Sequence, residues 1–541
     1  MFLPTKIIPL AALGVIAVSG IVILQQRTAK MLKWGQKLYP AVTIFLITWN
    51  PLFYVGNFDS VEEGFWLGWL QRLIGGQVLY RDAAIYHPPL LTWGAYLFGR
   101  LTGFSIFNER LFFHLLQISG LVIYYYWIKT FLRKNVNVIG VMLLTMGFSP
   151  VLVRNNLEIR LALGLLTLIV WKQFLSKGGK GWIMLAGGLS ALAFFTSFEV
   201  GVGIGAVLII GTLLFSSKNR LLNIANLGMG WVIGSLPILA IMAFQGGVSE
   251  FISQGIFYAR SFASGYFNVP VERAISLSFL HWHIVNQYLS STSWMWEIAR
   301  IGVVITVTGI ILKVFRKEMN SEDKYVCLIV LFGVLMFRSA LGRSDWYHLL
   351  FVLLISIPLI FRFFEQWVPN SRLAGWILIG LFVGVFARDK INADFFENQI
   401  YKFQTYGNVL TKHNTYDLSR SKILVGEEIN TKETDELVKY VVSKTGIEDG
   451  IFTYPWMPEL YFLSNRKNST MFDTPYAFYT INYQRQLVSQ LATNKPKLII
   501  YDPGMNFGGL TPDSLHLVNE YILNNYKEVY RSGKNLVLEQ I

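Results

Sequence analysis

Residues Asn57 to Pro89 read NFDSVEEGFWLGWLQRLIGGQVLYRDAAIYHPP, and long apolar runs flank them on both sides. Three carboxylates, Asp59, Glu62 and Glu63, open the stretch at spacings i, i+3 and i+4. On a helix that spacing puts them on one face. Val61, Phe65, Trp66, Trp69, Leu70 and Leu73 form an apolar stripe behind them, and Gly75-Gly76 supplies a stop. Pro88-Pro89 then starts a second helix, expected to run to about Thr102. Tyr80-Arg81-Asp82 and His87 fall between the two helices.

Crowding three like charges on one face is unfavourable unless a cation, a metal or a shared proton offsets it. That is the functional reading of the acids. A structural reading competes with it. Ser60-Val61-Glu62-Glu63 fits a capping box, with Ser60 as N-cap and Glu63 reaching back. The two are compatible if Glu63 caps while Glu62 or Asp59 faces a cavity. The same carboxylates could hold a divalent cation, Mg or Mn, through oxygen; the sequence gives no dedicated metal motif.

Outward from this stretch the chain is apolar. Of 541 residues 53% are hydrophobic and only 15% charged, well below the roughly 25% charged residues of soluble domains. Apolar runs long enough to span a bilayer recur to about residue 388, at about 7–24, 38–55, 110–130, 136–153, 157–175, 181–198, 200–216, 223–244, 296–315, 325–341, 348–367 and 372–388. Such spans must bond their backbone internally, so they are expected to be helices. The expected fold is therefore mainly α, a polytopic membrane bundle of about twelve spans.

The net charge of +14 follows the loops. Lys129, Arg133 and Lys134; Lys172, Lys177 and Lys180; Lys218 and Arg220; Lys313, Arg316, Lys317 and Lys324; and Arg362 and Arg372 mark every second connection. That alternation is the positive-inside rule, and it argues against nucleic acid as the partner of the charge. It places 56–109, the 245–295 connection with His281-Trp282-His283 and Trp294, the Gly342–His348 turn and everything after about 389 outside. A single cysteine, Cys327, excludes an intrachain disulfide and a cysteine metal site.

After residue 389 the apolar spans end. Helical patterns at 431–446, 480–493 and 511–526 alternate with strand patterns at 450–455 and 497–502, and 528–540 reads as a hairpin around Ser532-Gly533. The expected division is a membrane domain at 1–388 and a small extracytoplasmic α/β domain at 389–541.

The order Glu63-Gly64, Gly76, Tyr80-x-Asp82 and His87-Pro88-Pro89 resembles the first extracytoplasmic loop of GT-C-fold glycosyltransferases. It is nearest the bacterial and archaeal group related to protein O-mannosyltransferases and aminoarabinose transferases. That loop typically begins Asp-Glu-Gly and continues to Gly-x-x-x-Tyr-x-Asp. Here Glu62 stands where the group has its first Asp, and Asp59 lies three residues earlier. The segment from Tyr454-Pro455 through Pro458-Glu459-Leu460-Tyr461-Phe462-Leu463 is also similar to an element of such outer domains.

The resemblance implies transfer of a sugar from a polyprenyl-phosphate donor to a lipid, glycan or protein acceptor, usually with inversion, at the outer face of the cytoplasmic membrane. A carboxylate must take the acceptor proton, and positive charge or donors must meet the leaving phosphate. Glu62 or Asp59 is the expected base, with Glu63 holding the loop. Arg343, and after it Arg81, are the expected phosphate contacts. Arg343 offers a planar, permanently charged fork, and Asp345 would orient Arg343 or His348; an interfacial Arg–Asp pair beside an aromatic belt is the structural alternative. Tyr80, Asp82 and His87 complete the expected substrate-binding set. Other activities stay open: a transporter or lipid flippase, disfavoured because no internal repeat is visible and the acids gather in an outer loop, or a non-catalytic membrane scaffold, for which the loop acids would be dispensable.

Overall fold

The computed structural model describes residues 39–46, 55–60, 62–148, 157–216, 219–263, 293–342, 346–367, 375–376, 409–506 and 510–541. The expected spans at 7–24 and, apart from 375–376, at 372–388 lie outside them, as do His281-Trp282-His283 and half of 38–55.

The described helices are α1 (Glu62–Ile74), α2 (Pro89–Thr102), α3 (Ile106–Ile128), α4 (Asn135–Phe148), α5 (Leu157–Lys177), α6 (Lys180–Phe194), α7 (Phe198–Phe215), α8 (Arg220–Phe244), α9 (Val248–Ala263), α10 (Ser293–Phe315), α11 (Ser321–Gly342) and α12 (Trp346–Trp367). The described part of each apolar run from 110–130 to 348–367 falls on one of them. Among the described residues Ile106–Ile128, Ile159–Lys177, Phe198–Phe215 and Arg220–Phe244 are long and apolar enough to cross a membrane.

The chain forms two compact units. The first takes Met1–Pro51, Leu115–Leu236 and Phe262–Gln404. Its core holds Trp127, Trp171, Tyr325, Phe332, Leu353, Ile355 and Phe361. Small residues let helices approach closely. A Cβ on Gly187 would run into the backbone of Leu227, one on Gly230 into that of Met184, and one on Gly234 into Gly188, so α6 and α8 cross on glycine, as packed membrane helices often do. Basic residues expected in separate loops meet here. Glu322 pairs with Arg133 at 2.5 Å and Arg362 at 3.1 Å, and Asp323 with Lys313 at 2.5 Å. Glu365 accepts from the backbone N–H groups of Arg133 and Lys134 at the start of α4.

The second unit takes Leu52–His114, Pro237–Ser261 and Thr405–Ile541. Its C-terminal part contains β1 (His413–Thr415), β2 (Leu424–Gly426), α13 (Thr431–Lys444), β3 (Gly450–Tyr454), α14 (Glu459–Ser464), β4 (Lys467–Asn468), α15 (Pro475–Phe478), α16 (Ile481–Asn494), β5 (Leu498–Tyr501), α17 (His516–Asn525), β6 (Tyr526–Ser532) and β7 (Asn535–Gln540). The sheet order is β4-β3-β5-β7-β6. β3 is parallel to β4 and β5, and β7 is antiparallel to β5 and β6. The β6–β7 turn is the expected hairpin, with Gly533 at φ +56°. The period of two decides what each sheet face buries. Leu498 and Ile500 join one apolar cluster with Ile451 and Val537, while Ile499 and Tyr501 join another with Phe452 and Leu538.

The first of these clusters also contains Leu67 and Leu70 of α1, together with Leu460, Tyr461 and Leu463 of α14. The loop helix thus packs on the α/β fold. Pro458 sits over Gly64 and Gly68, whose missing side chains make room for it. Val55 bridges β2 at Leu424, which fixes the chain just ahead of the acids.

Candidate active site

The expected helix limits hold: α1 ends at Ile74, Gly76 turns the chain at φ +77°, and α2 begins at Pro89. Ser60, however, is not the N-cap of a capping box. Its hydroxyl donates to Glu459 Oε1 at 2.7 Å. Glu63 reaches one residue further back, and its Oε2 accepts from the Asp59 N–H at 3.2 Å. A buried carboxyl partner some 400 residues along the chain draws the hydroxyl away from the local cap.

Glu63 is buried and held by Arg110 of α3, with Nε to Oε1 at 2.6 Å and Nη2 to Oε2 at 3.1 Å. The same guanidinium donates to the carbonyls of Gly56 and Asn57. Both oxygens of Glu63 are therefore committed, and it does not fit a cation shared by all three acids. Among the described residues no group of three or more His, Cys, Asp or Glu could hold a metal. Asp59 lies at the exposed surface of the turn, and its carbonyl accepts from the N–H groups of Glu63 and Gly64. Glu62 opens α1; its side chain lies outside what the structure describes.

Glu459 is the residue that motif reading passed over. It is 3% exposed, and its Oε2 has no hydrogen-bond partner among the described residues. Burial pushes its carboxyl up to about 8, and the nearby Asp59 and Glu63 charges push the same way, against the Ser60 hydrogen bond. Such a group keeps its proton at neutral pH. Trp456 Nε1 donates to the Ser60 carbonyl at 2.8 Å. Ser60, next to Asp59, is thus gripped at both its hydroxyl and its carbonyl.

The Tyr-x-Asp element is a tight turn. Tyr80 takes φ +69°, rare for a bulky residue. It is held there by its hydroxyl bond to the His87 carbonyl at 2.7 Å, by an edge contact with Phe251, and by Gln254 of α9, whose amide donates to the carbonyls of Tyr80 and Ala83 and accepts from the Ile85 N–H. Burial raises the Tyr80 phenol well above its ordinary value. Asp82 closes the turn by accepting from the Val78 N–H at 2.8 Å. Arg81 grips Asp82 through Nε and Nη2, both at 2.8 Å, and donates to the Gln245 carbonyl at 3.0 Å. That guanidinium holds the Asp82 carboxyl below its usual range, and its own charge is largely answered.

Behind the turn, buried Arg72 of α1 makes two bonds to Asp473, at 2.6 and 2.8 Å, and donates to the carbonyls of Asp82 and Thr470. The His87 ring stacks on Phe65 and Trp66, with centroids 5.5 and 5.4 Å away. It belongs to an aromatic group with Trp69, Tyr86, Tyr258, Tyr476 and Trp456. Arg343 and Asp345 lie outside the described residues; His348 is on α12, with its side chain likewise undescribed.

Arg110, Arg72, Gln254 and Glu459 were missed because each acts across tens to hundreds of residues. The one signal was Pro458-Glu459 within the element that resembles a recurrent part of outer domains.

Comparisons with known proteins agree with this architecture. Residues 86–244 match the family model of dolichyl-phosphate-mannose-protein mannosyltransferases. The chain is similar to the crystal structure of ArnT from Cupriavidus metallidurans bound to undecaprenyl phosphate, with a TM-score of 0.52 at 10% identity, over 95% of this chain and 99% of that one. The apo ArnT structure gives 0.51 at 11% identity, over 97% and 98%. No curated protein sequence matched the chain. Carried by near-complete coverage rather than by sequence identity, the likeness gives this chain the fold of ArnT.

Proposed function

We propose that the protein transfers a sugar from a polyprenyl-phosphate donor to an acceptor hydroxyl at the outer face of the cytoplasmic membrane. The observation that carries the reading is the division of labour at the start of α1. Glu63 is buried against Arg110, and the turn so fixed presents Asp59 at the surface. A free hydroxyl is a poor nucleophile, so a positioned carboxylate that takes its proton speeds attack. Asp59 or Glu62 is that base.

The acceptor oxygen forms a bond to the anomeric carbon, the bond from that carbon to the phosphate oxygen breaks, and polyprenyl phosphate departs with the electron pair. Attack opposite the leaving group inverts the anomeric centre. The phosphate needs a cation not already answered by a carboxylate. Arg81 is already paired with Asp82, so Arg343 is the stronger candidate. The mannosyltransferase-family match over 86–244 and the undecaprenyl phosphate in the ArnT structure support a lipid-phosphate donor.

The test is transfer from radiolabelled polyprenyl-phosphate sugars by the purified protein, with Asp59→Asn, Glu62→Gln and Glu63→Gln alongside. Turnover by the wild type that drops in Asp59→Asn or Glu62→Gln supports the assignment. Turnover equal in all three variants removes these residues as bases. Absence of turnover with every donor, together with passage of a solute into liposomes, favours a transporter.

A further inference from the structure

The second unit contains a cavity of about 530 Å³ on which the mechanism above makes no demand. One wall is the Gln77–Asp82 turn with Glu250; the other is the Asn468–Met471 segment with one face of α16. Gln486, Gln490 and Asn494 follow each other at i, i+4 and i+8 on that helix, so their amides line one face.

The chemistry of the lining narrows the occupant. Arg81 is engaged by Asp82, so the cavity offers no uncommitted cation to an anion. Glu250 and Asp82 leave the lining charge slightly negative. Apart from Tyr80 and Met471 the lining side chains are polar or charged, and none is a branched aliphatic residue of the kind that would seat a polyprenyl tail. What remains is a set of planar amides with unused valences. Gln490 spends Oε1 on the Met471 N–H and Gln486 spends Nε2 on the Met471 sulfur. Gln490 Nε2, Gln486 Oε1 and both ends of the Gln77 amide have no partner among the described residues. Donors and acceptors at several points around one polar cavity complement vicinal hydroxyls, each of which both donates and accepts. The volume falls in the range of about 300–1,000 Å³ typical of small-ligand sites.

We infer that this cavity binds a neutral saccharide through the amides of Gln77, Gln486 and Gln490. Its occupant is the glycan portion of a substrate, an assignment that rests on the glycosyl-transfer reading, and either the acceptor or the donor can supply it.

The test uses full-length protein in nanodiscs and saturation-transfer NMR with mannobiose and cellobiose, inorganic phosphate being the competitor. Wild type is expected to show disaccharide signals that phosphate leaves unchanged. Gln490→Ala on the helix and Gln77→Ala on the opposite wall should each weaken binding about 2–10-fold, the effect of one hydrogen bond, with melting temperature held. No disaccharide signal, signals unaffected by both variants, or displacement by phosphate overturns the inference. Transfer kinetics separate the two readings. A raised KM for acceptor or for donor in the variants, with kcat unchanged, identifies which substrate supplies the glycan. Amide-dependent binding without any sugar transfer keeps the cavity and sinks the transferase reading. Unchanged kinetics without binding does the reverse.

Discussion

The carboxylates Glu322, Asp323 and Glu365 of the helical unit and those around the start of α1 in the loop unit are handled differently. In the first, Glu322 faces Arg133 and Arg362, Asp323 faces Lys313, and Glu365 caps the start of α4. Each of these three acids answers a cation or a helix end. In the second, Arg110 goes to Glu63, Glu459 stays neutral by burial, and Asp59 is turned to the surface. Acids that tie helices together have partners supplied beside them. The exposed Asp59, proposed above as a base, sits on a turn that the buried acids hold still.

The sharpest way to break this contrast is to remove charge without removing shape. Asp59→Asn or Glu62→Gln should lower the transfer rate about 10²–10⁴-fold, the usual worth of a general base, with little change in melting temperature. Glu63→Gln should instead lower stability, because the buried Arg110 loses its counter-charge. An Asp59→Asn protein that melts early but turns over normally would reverse the two roles.

Arg110→Ala tests the frame directly. It leaves the buried Glu63 carboxyl without its cation, which costs about 3–5 kcal/mol in comparable sites. Denaturation in detergent reads this, and the matching change in the helical unit, Arg133→Ala, should do far less, since that side chain is 72% exposed. Equal losses would mean the two groups of acids are not handled differently after all.

The contrast was only half legible in the sequence. Helices α1 and α2 were readable because an apolar stripe, a glycine pair and a proline pair are local signals. So were the strands around Ile451 and Ile499, where apolar runs are short and bounded. The partners of the acids were not. Ser60 looks like a cap until Glu459 is brought to it, and nothing near Arg72 in the chain announces Asp473. Pairing across hundreds of residues leaves no periodicity to read. The short strands β1, β2 and β4 were invisible for a related reason, since two or three residues cannot display a period of two.

Glu459 gives a pH test of the neutral-acid half of the contrast. Its ordinary value is 4.5 and its folded value about 8, so the folded state prefers the proton. Its contribution to stability is whole below about pH 4.5 and is lost as pH rises towards 8. Glu459→Gln cannot ionise and can still accept from Ser60. Wild type and variant should melt alike near pH 4.5, while at pH 8.5 the variant should be more stable by on the order of 5 kcal/mol. Parallel melting curves at both pH values would show that Glu459 ionises without penalty and that Ser60 is not held by a neutral acid.

The smallest effect tests how tightly α14 grips the helix that bears the acids. A Cβ on Gly68 would come within 2.9 Å of Pro458 Cβ, closer than carbon atoms tolerate. Alanine in a helix interior otherwise gains about 1 kcal/mol over glycine, while overpacking costs about 1–3 kcal/mol. Gly68→Ala should therefore be mildly destabilising on balance. If the clash with Pro458 is the cause, adding Pro458→Ala should recover the helix gain, and the double-mutant cycle should show coupling. Without coupling, the glycine spacing of α1 serves the helix alone. Then the hold on Asp59 falls to the Ser60–Glu459 and Ser60–Trp456 bonds, and Trp456→Phe should loosen the turn by itself.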